Sequence, residues 1–180
     1  MDLLQAVYAR DHERVAALRA ERDLSLVEAA AVGDTVRVGE LLTSGADPDE
    51  RSPDGFPALG LACHFDHAGA AALLVRAGAD LTARATGTMT VQALHAAAAS
   101  AQGTCIPLLL AAGAPVDETQ DGGFTPLHEA ATRKLGWLVE LLLAAGADPS
   151  RTADDGRDAA AMAEQSGDPD LAGFLRSAAG

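Results

Sequence analysis

The segment FTPLHEAATRKLGWLVELLLAAGAD, residues 124–148, sets an imidazole beside a carboxylate at His128 and Glu129. An enzyme could use that pair for general-base work. A second candidate is CHFDH, where Cys63, His64 and His67 bring soft and borderline donors close enough in sequence to consider zinc. The chain holds no P-loop, nucleophile-elbow or paired-carboxylate motif, so phosphate cradling, acyl transfer and glycosidase-type chemistry have no residues to carry them.

A catalytic pair should occur once, whereas a structural joint should recur. AAGAD at 144–148 is echoed by AAGAP at 111–115, RAGAD at 76–80 and TSGAD at 43–47. Their glycines, Gly45, Gly78, Gly113 and Gly146, are spaced by 33, 35 and 33 residues, and Leu26, Leu59, Leu94 and Leu127 keep the same three steps. Two independent markers in one register define an internal repeat.

Each repeat predicts the same elements. Thr125 can accept from an orphan backbone N–H, and Pro126 supplies a preset φ where no donor is needed, so a short helix begins at Pro126. Leu138, Leu141 and Leu142 mark a second helix that stops at Gly146, a residue that tolerates positive φ. DPSRTADDG, residues 148–156, has turn residues and no helical period, and reads as an extended turn or hairpin. One such unit has too few buried aliphatic side chains to offset the entropy of ordering its chain. Stacking is therefore obligatory, and an elongated solenoid follows.

With 180 residues and no Pro-, Gly- or Ser-rich interruption, the chain reads as one domain, 1–180. The amino-terminal MDLLQAVYARDHERVAAL carries Asp2 and Asp11 and no long apolar run, so neither a signal peptide nor a membrane span is expected, and the expected compartment is the cytoplasm. The 26 acids against 13 Lys plus Arg give a formal charge of −13. A surface of that sign repels phosphates, which argues against nucleic acid and anionic membranes as partners. Hydrophobic residues make up 48% but aromatics only 3%, so alanine and leucine supply thin, closely packed helices. Cys63 and Cys105 fall on helix positions of adjacent repeats and read as small buried hydrophobes. Ala, Gly and Arg-rich usage with few lysines points to a GC-rich bacterial genome.

Gly123, TPLH at 125–128, Ala130 and Ala131, Leu141 and Leu142, and GAD at 146–148 together resemble the ankyrin repeat family, and the likeness spans nearly the whole chain. The resemblance implies an all-α fold, an α-solenoid of stacked helix-turn-helix repeats with β-hairpin-like finger loops. It implies an amino-terminal capping helix pair at 2–23, repeats at about 24–51, 52–84, 85–119 and 120–152, and a carboxy-terminal cap at 153–180. In this family the histidine of TPLH bridges its own threonine and backbone groups, so His128, and His95 in the same place, are expected to be joints. The repeat register also places Cys63 on a buried alanine position and His67 in the inter-helix turn, pointing apart, with no second cluster to complete four ligands. No metal, cofactor or catalytic residue is expected.

Departures from the repeat carry expectations of their own. In the third unit Gln92 and Ala93 replace Thr-Pro, and two extra residues between Asp80 and Leu94 predict a longer finger. Pro107 is harmless if Thr104 is the N-cap. In the fourth unit Lys134 replaces the usual inter-helix glycine, which predicts a small strain or an altered turn there.

The family's partner-facing groove is formed by fingertips and exposed first-helix residues. Carried across, the fingertip positions are Arg51, Pro53, Asp54, Arg84, Thr119, Asp121, Thr152 and Asp154, with Thr86, Thr88 and Met89 in the longer finger. Just after the fingers come Phe56, Val91, Phe124 and Arg157, and on the first helices His64 and Phe65, Ala99 and Ser100, Thr132 and Arg133. Phe56, Val91 and Phe124, one repeat apart, are expected to line up along the stack as an apolar binding patch, with Arg51, Arg84, Arg133 and Arg157 as hydrogen-bonding forks. Trp137, in a usually polar position, is a candidate second contact. The function expected is a monomeric, non-enzymatic module binding a protein partner through this groove. A stability or assembly factor for one bacterial enzyme differs from it only in partner. The third reading is a metal or catalytic protein using His64 and His67.

Overall fold

In the computed structural model, which describes residues 2–21, 23–86, 91–100 and 103–180, the helices come in six successive pairs. They are α1 (Leu3–Tyr8) with α2 (His12–Glu21), α3 (Leu26–Ala31) with α4 (Thr35–Thr43), α5 (Ala58–His64) with α6 (Ala68–Arg76), α7 (Ala93–Ala99) with α8 (Cys105–Ala111), α9 (Pro126–Thr132) with α10 (Gly136–Ala144), and α11 (Ala159–Gln165) with α12 (Pro169–Ala179). The first helices pack on one another in series from α1 to α11, and α4, α6 and α8 form a second layer behind them. Among the described residues there is no strand, only isolated antiparallel bridges at Arg51–Pro57 and Thr152–Asp158. The fold is an all-α repeat solenoid.

Caps explain where the helices begin. Ser25 and Glu28 form a reciprocal capping box on α3, and Thr125 with Pro126 starts α9. The side chains of Asp34, Asp158 and Asp168 cap α4, α11 and α12. The outer helices α4, α6, α8 and α10 run out into Gly45, Gly78, Gly113 and Gly146, each at φ between 87° and 94°, a conformation that admits glycine without strain.

Leu26, Leu59, Leu94 and Leu127 are buried on the first helices, and Val38, Leu74, Leu109 and Leu142 on the second. Alanine pairs such as Ala29–Ala30, Ala97–Ala98 and Ala130–Ala131 let the first layer pack closely. The finger hairpins each close with one backbone hydrogen bond of 2.9 Å: Ser52 to Phe56, Ala85 to Val91, Gln120 to Phe124 and Ala153 to Arg157. The longer finger of the third unit, residues 85–119, is visible in that series, since Ala85 to Val91 spans two more residues than its counterparts.

The fourth pair departs from the repeat in a second way. The left-handed residue of the inter-helix turn is Gly33, Asp66 and Lys134 in pairs two, three and five, but Gly103 in the fourth pair, two places later relative to Leu94. Helix α8 accordingly has 7 residues where α4, α6 and α10 have 9. Its start is capped from outside: Asp66 accepts from the Thr104 amide (2.8 Å), the Thr104 hydroxyl (2.9 Å), the Cys105 amide (3.4 Å) and the Ser100 hydroxyl (3.4 Å). Thr104 is the N-cap residue, so Pro107 lies in the first turn as anticipated.

Candidate binding groove

His128 is held within its own repeat. The Thr125 amide donates to its Nδ1 at 3.0 Å, the Thr125 hydroxyl lies 2.8 Å from the same atom, and the ring is 1% exposed. An accepting lone pair so occupied leaves no base to offer a substrate. Burial also holds this imidazole below its ordinary pKa, so it is neutral. His95 occupies the same place on α7, and its Nε2 donates to the Phe124 carbonyl at 3.1 Å. With Gln92 where threonine would stand, His95 Nδ1 is left without a hydrogen-bond partner.

The donors of CHFDH point three ways. Cys63 is fully buried, and its hydrogen bond with Cys105 together with burial keeps the thiol protonated. His67 donates from Nε2 to the Ala31 carbonyl at 3.2 Å and lies so close over Gly33 that a Cβ there would meet its ring at 2.6 Å. His64 is exposed on the other side, edge-on to Phe65 with ring centroids 4.8 Å apart. Among the described residues no group of three or more His, Cys, Asp and Glu side chains is placed to hold a metal.

A slot of about 400 Å³ opens on the first-helix face between the fingers. Tyr8, Phe56 and His64 wall one side, Val91 flanks it, and Gln120 and Glu129 stand at the far rim. The floor is Gly60, Ala96 and Ala99. Small residues on α5 and α7 thus leave room that larger neighbours on α1 and the fingers enclose. Tyr8 ties the wall together, with ring centroids 6.4 Å from Phe56, 6.3 Å from His64 and 5.4 Å from Phe65. Partial burial and the nearby Asp54 raise the Tyr8 phenol above its usual pKa, so it remains a hydrogen-bond donor.

The structure brings Phe56, His64 and Val91 together and leaves Phe124 apart. The Phe124 ring folds back over Gly122, where a Cβ would meet it at 2.7 Å, and lies edge-on to His128. Phe65 contacts Tyr8 but also lines a second cavity of about 630 Å³ beside Val7, Val15 and Val32, where it helps seat the first helix pair. Ser100 requires a correction. Expected at the groove, it is only 7% exposed, and its hydroxyl accepts from the Gly103 amide at 3.0 Å and donates to Asp66. The lengthened turn after α7 draws this residue inward.

Fingertip residues Pro53, Asp54, Arg84, Thr86, Asp121, Thr152 and Asp154 are exposed, and Thr119 is half-buried. Met89 and Thr88 lie outside the described residues. The four arginines are occupied within the chain. Arg51 donates to the carbonyls of Gly55 (3.0 Å) and Arg84 (2.7 Å), and Arg84 pairs with Glu118 at 3.1 Å. Arg133 reaches the Ala99 carbonyl beside Glu129, and Arg157 holds Asp155 and Gln165. Arg51 and Arg84 brace finger to finger and Arg133 repeat to repeat, while Arg157 stays within the last unit. Thr132, although exposed, donates to its own helix at the His128 carbonyl, 2.9 Å away.

Tyr8 was missed by the sequence reading, yet the signal existed. It stands five residues after Leu3, as His64 does after Leu59 and Ala99 after Leu94, so the repeat register assigns it to the groove face. Trp137 is 46% exposed, but its ring packs on the displaced turn, where a Cβ on Gly103 would meet it at 2.5 Å. It fills the gap left by the shortened α8.

The family model for ankyrin repeats, in three copies, matches residues 26–120 and 87–153. The chain belongs to the ankyrin repeat family. Repeats of this family are generally protein–protein interaction modules and typically non-catalytic scaffolds. No curated protein matches the chain. Among the described residues no helix is long and apolar enough to cross a membrane.

Proposed function

We propose that this chain is a non-enzymatic module that holds a partner protein in the groove between its fingers and first helices. The observation that carries the reading is the slot between Tyr8, Phe56, Val91 and Ala99. It is an apolar recess on a surface otherwise dominated by charge, which is the anatomy of an interface core with a polar rim. The fingers that frame it are braced against one another by Arg51 and Arg84 and by the Thr86 amide on the Gly55 carbonyl (3.0 Å). A framed recess is preorganised, so little conformational entropy is lost when a partner side chain enters.

Gly60→Leu tests the reading cleanly. A Cβ at Gly60 meets nothing nearer than Pro57 Cδ at 3.7 Å, so the fold accepts it, while the longer side chain occupies the slot. Affinity capture from the source lysate should retain a protein on the wild type and lose it on Gly60→Leu and Phe56→Ala. Equal retention by all three would place the binding surface elsewhere.

A further inference from the structure

The slot has a chemistry around it that specifies its occupant, provided the groove is where the partner binds. The four finger segments, residues 46–57, 79–92, 114–125 and 147–158, contain twelve Asp and Glu against four Arg. They therefore carry eight of the chain's net −13 charges on about a quarter of its length. Of these arginines, Arg51 donates to backbone carbonyls and Arg84 and Arg157 are paired with Glu118 and Asp155, so the fingers stay net acidic with few guanidinium groups free toward a ligand. Asp54 stands exposed beside the Tyr8 wall, and Glu129 lines the opposite rim, where Arg133 lies 3.8 Å from it while donating to the Ala99 carbonyl. An apolar recess is thus set among fingers of net negative charge.

We propose that the occupant is a linear basic segment of a partner protein: one long apolar or aromatic side chain seats on Gly60, Ala96 and Ala99, and lysine or arginine residues on either side of it lie along the acidic fingers. The apolar anchor supplies affinity by leaving water, and the flanking cations supply attraction at a distance and orientation on arrival. The slot, at about 400 Å³, has room for a large apolar side chain of the Leu, Phe or Trp class, and its lining is mostly apolar, with the His95 ring among it. An acidic segment would meet the same fingers with repulsion, as would nucleic acid or an anionic membrane.

Selection of a displayed random dodecapeptide library on the wild-type protein, followed by titration of synthetic winners against wild type and Gly60→Leu, tests this. The expected result is enrichment of peptides with one large apolar residue flanked by Lys or Arg. Their affinity should fall at least about tenfold on Gly60→Leu and by about tenfold when salt rises from roughly 0.05 to 0.5 M, as a screened charge interaction must. Exchanging the flanking Lys and Arg for Glu should abolish binding. Thermal melting of Gly60→Leu at or above the wild-type temperature shows that its loss is not unfolding. Peptides that lose binding on Gly60→Leu but show no basic bias would overturn the occupant and leave the groove standing. Peptides unaffected by Gly60→Leu would overturn the groove itself, and failure to enrich any peptide would overturn a linear occupant.

Discussion

Asp66 and Lys134 hold the same left-handed turn at φ +59° in different repeats, and glycine should affect them in opposite directions. A side chain at positive φ costs about 1–2 kcal/mol relative to the right-handed region. Lys134 has nothing to set against that strain, so Lys134→Gly should raise stability by about 0.5–1 kcal/mol once the greater freedom of glycine in the unfolded chain is subtracted. Asp66 carries the same strain but satisfies the Thr104 and Cys105 amides and two hydroxyls at the start of α8. Removing a cap of that kind costs about 0.5–2 kcal/mol, more where the donors are partly buried. Asp66→Gly should therefore lower stability by about 1 kcal/mol despite the relieved backbone, and Asp66→Ala by more. Urea denaturation followed by far-UV circular dichroism measures all three. A gain on Asp66→Gly equal to that on Lys134→Gly would show that the carboxylate caps nothing.

The repeat built from α7 and α8 is where helix-scale departures gather, and it shows what a sequence can reveal. Its longer finger was legible because Gly78 to Leu94 exceeds Gly45 to Leu59 by two residues. The displaced turn was not, because Leu94 to Gly113 and Leu59 to Gly78 have the same spacing. Two residues moved from a helix into a turn leave no trace in the markers at either end. Likewise, the resemblance of TPLH to the family's motif implied that His128 is a joint, and its Nδ1 meets the Thr125 amide and hydroxyl. The arginines could not be resolved in this way, because a guanidinium at a fingertip reaches a partner or the next finger equally well, and only coordinates show which carbonyl it meets. The groove's floor was invisible for a related reason: Gly60 and Ala96 are unremarkable helix residues until larger neighbours enclose them. At this scale the unpartnered His95 Nδ1 suggests a repair. The double variant Gln92→Thr and Ala93→Pro restores the N-cap and first-turn proline found at 125–126. It should raise stability by about 1 kcal/mol in urea titration, partly offset by loss of the 3.3 Å hydrogen bond from Gln92 to the Thr82 carbonyl. No gain, or a loss, would mean that the Gln92 amide matters more than the cap.

For the stack as a whole, the histidines set how stability depends on pH. The buried His95 and His128 and the half-buried His67 are each held below the usual 6.5 chiefly by burial. Each binds its proton less readily in the folded chain than in the unfolded one. Above 6.5 both states are neutral at these sites and the fold has its full stability. As pH falls through 6.5 the unfolded chain takes up protons that the folded chain refuses, so stability declines until the lower folded-state values are passed. Asp34 and Asp80 are lowered too, by hydrogen bonds from Arg37 and Thr82. Their contribution is present above the usual 3.8 and disappears only below it, so carboxylates do not account for a decline between about pH 7.5 and 5. Relief of self-repulsion in a chain of formal charge −13 works in the other direction as acid is added. About 0.2 M salt screens most of that opposing effect, since it shortens the reach of surface charges far more than it alters buried imidazoles. The urea midpoint in such salt should therefore fall from pH 7.5 to 5. His67→Gln, which keeps a donor for the Ala31 carbonyl but cannot titrate, should reduce the slope of that fall. A midpoint that is flat or rises over this range would show that burial does not hold these imidazoles neutral.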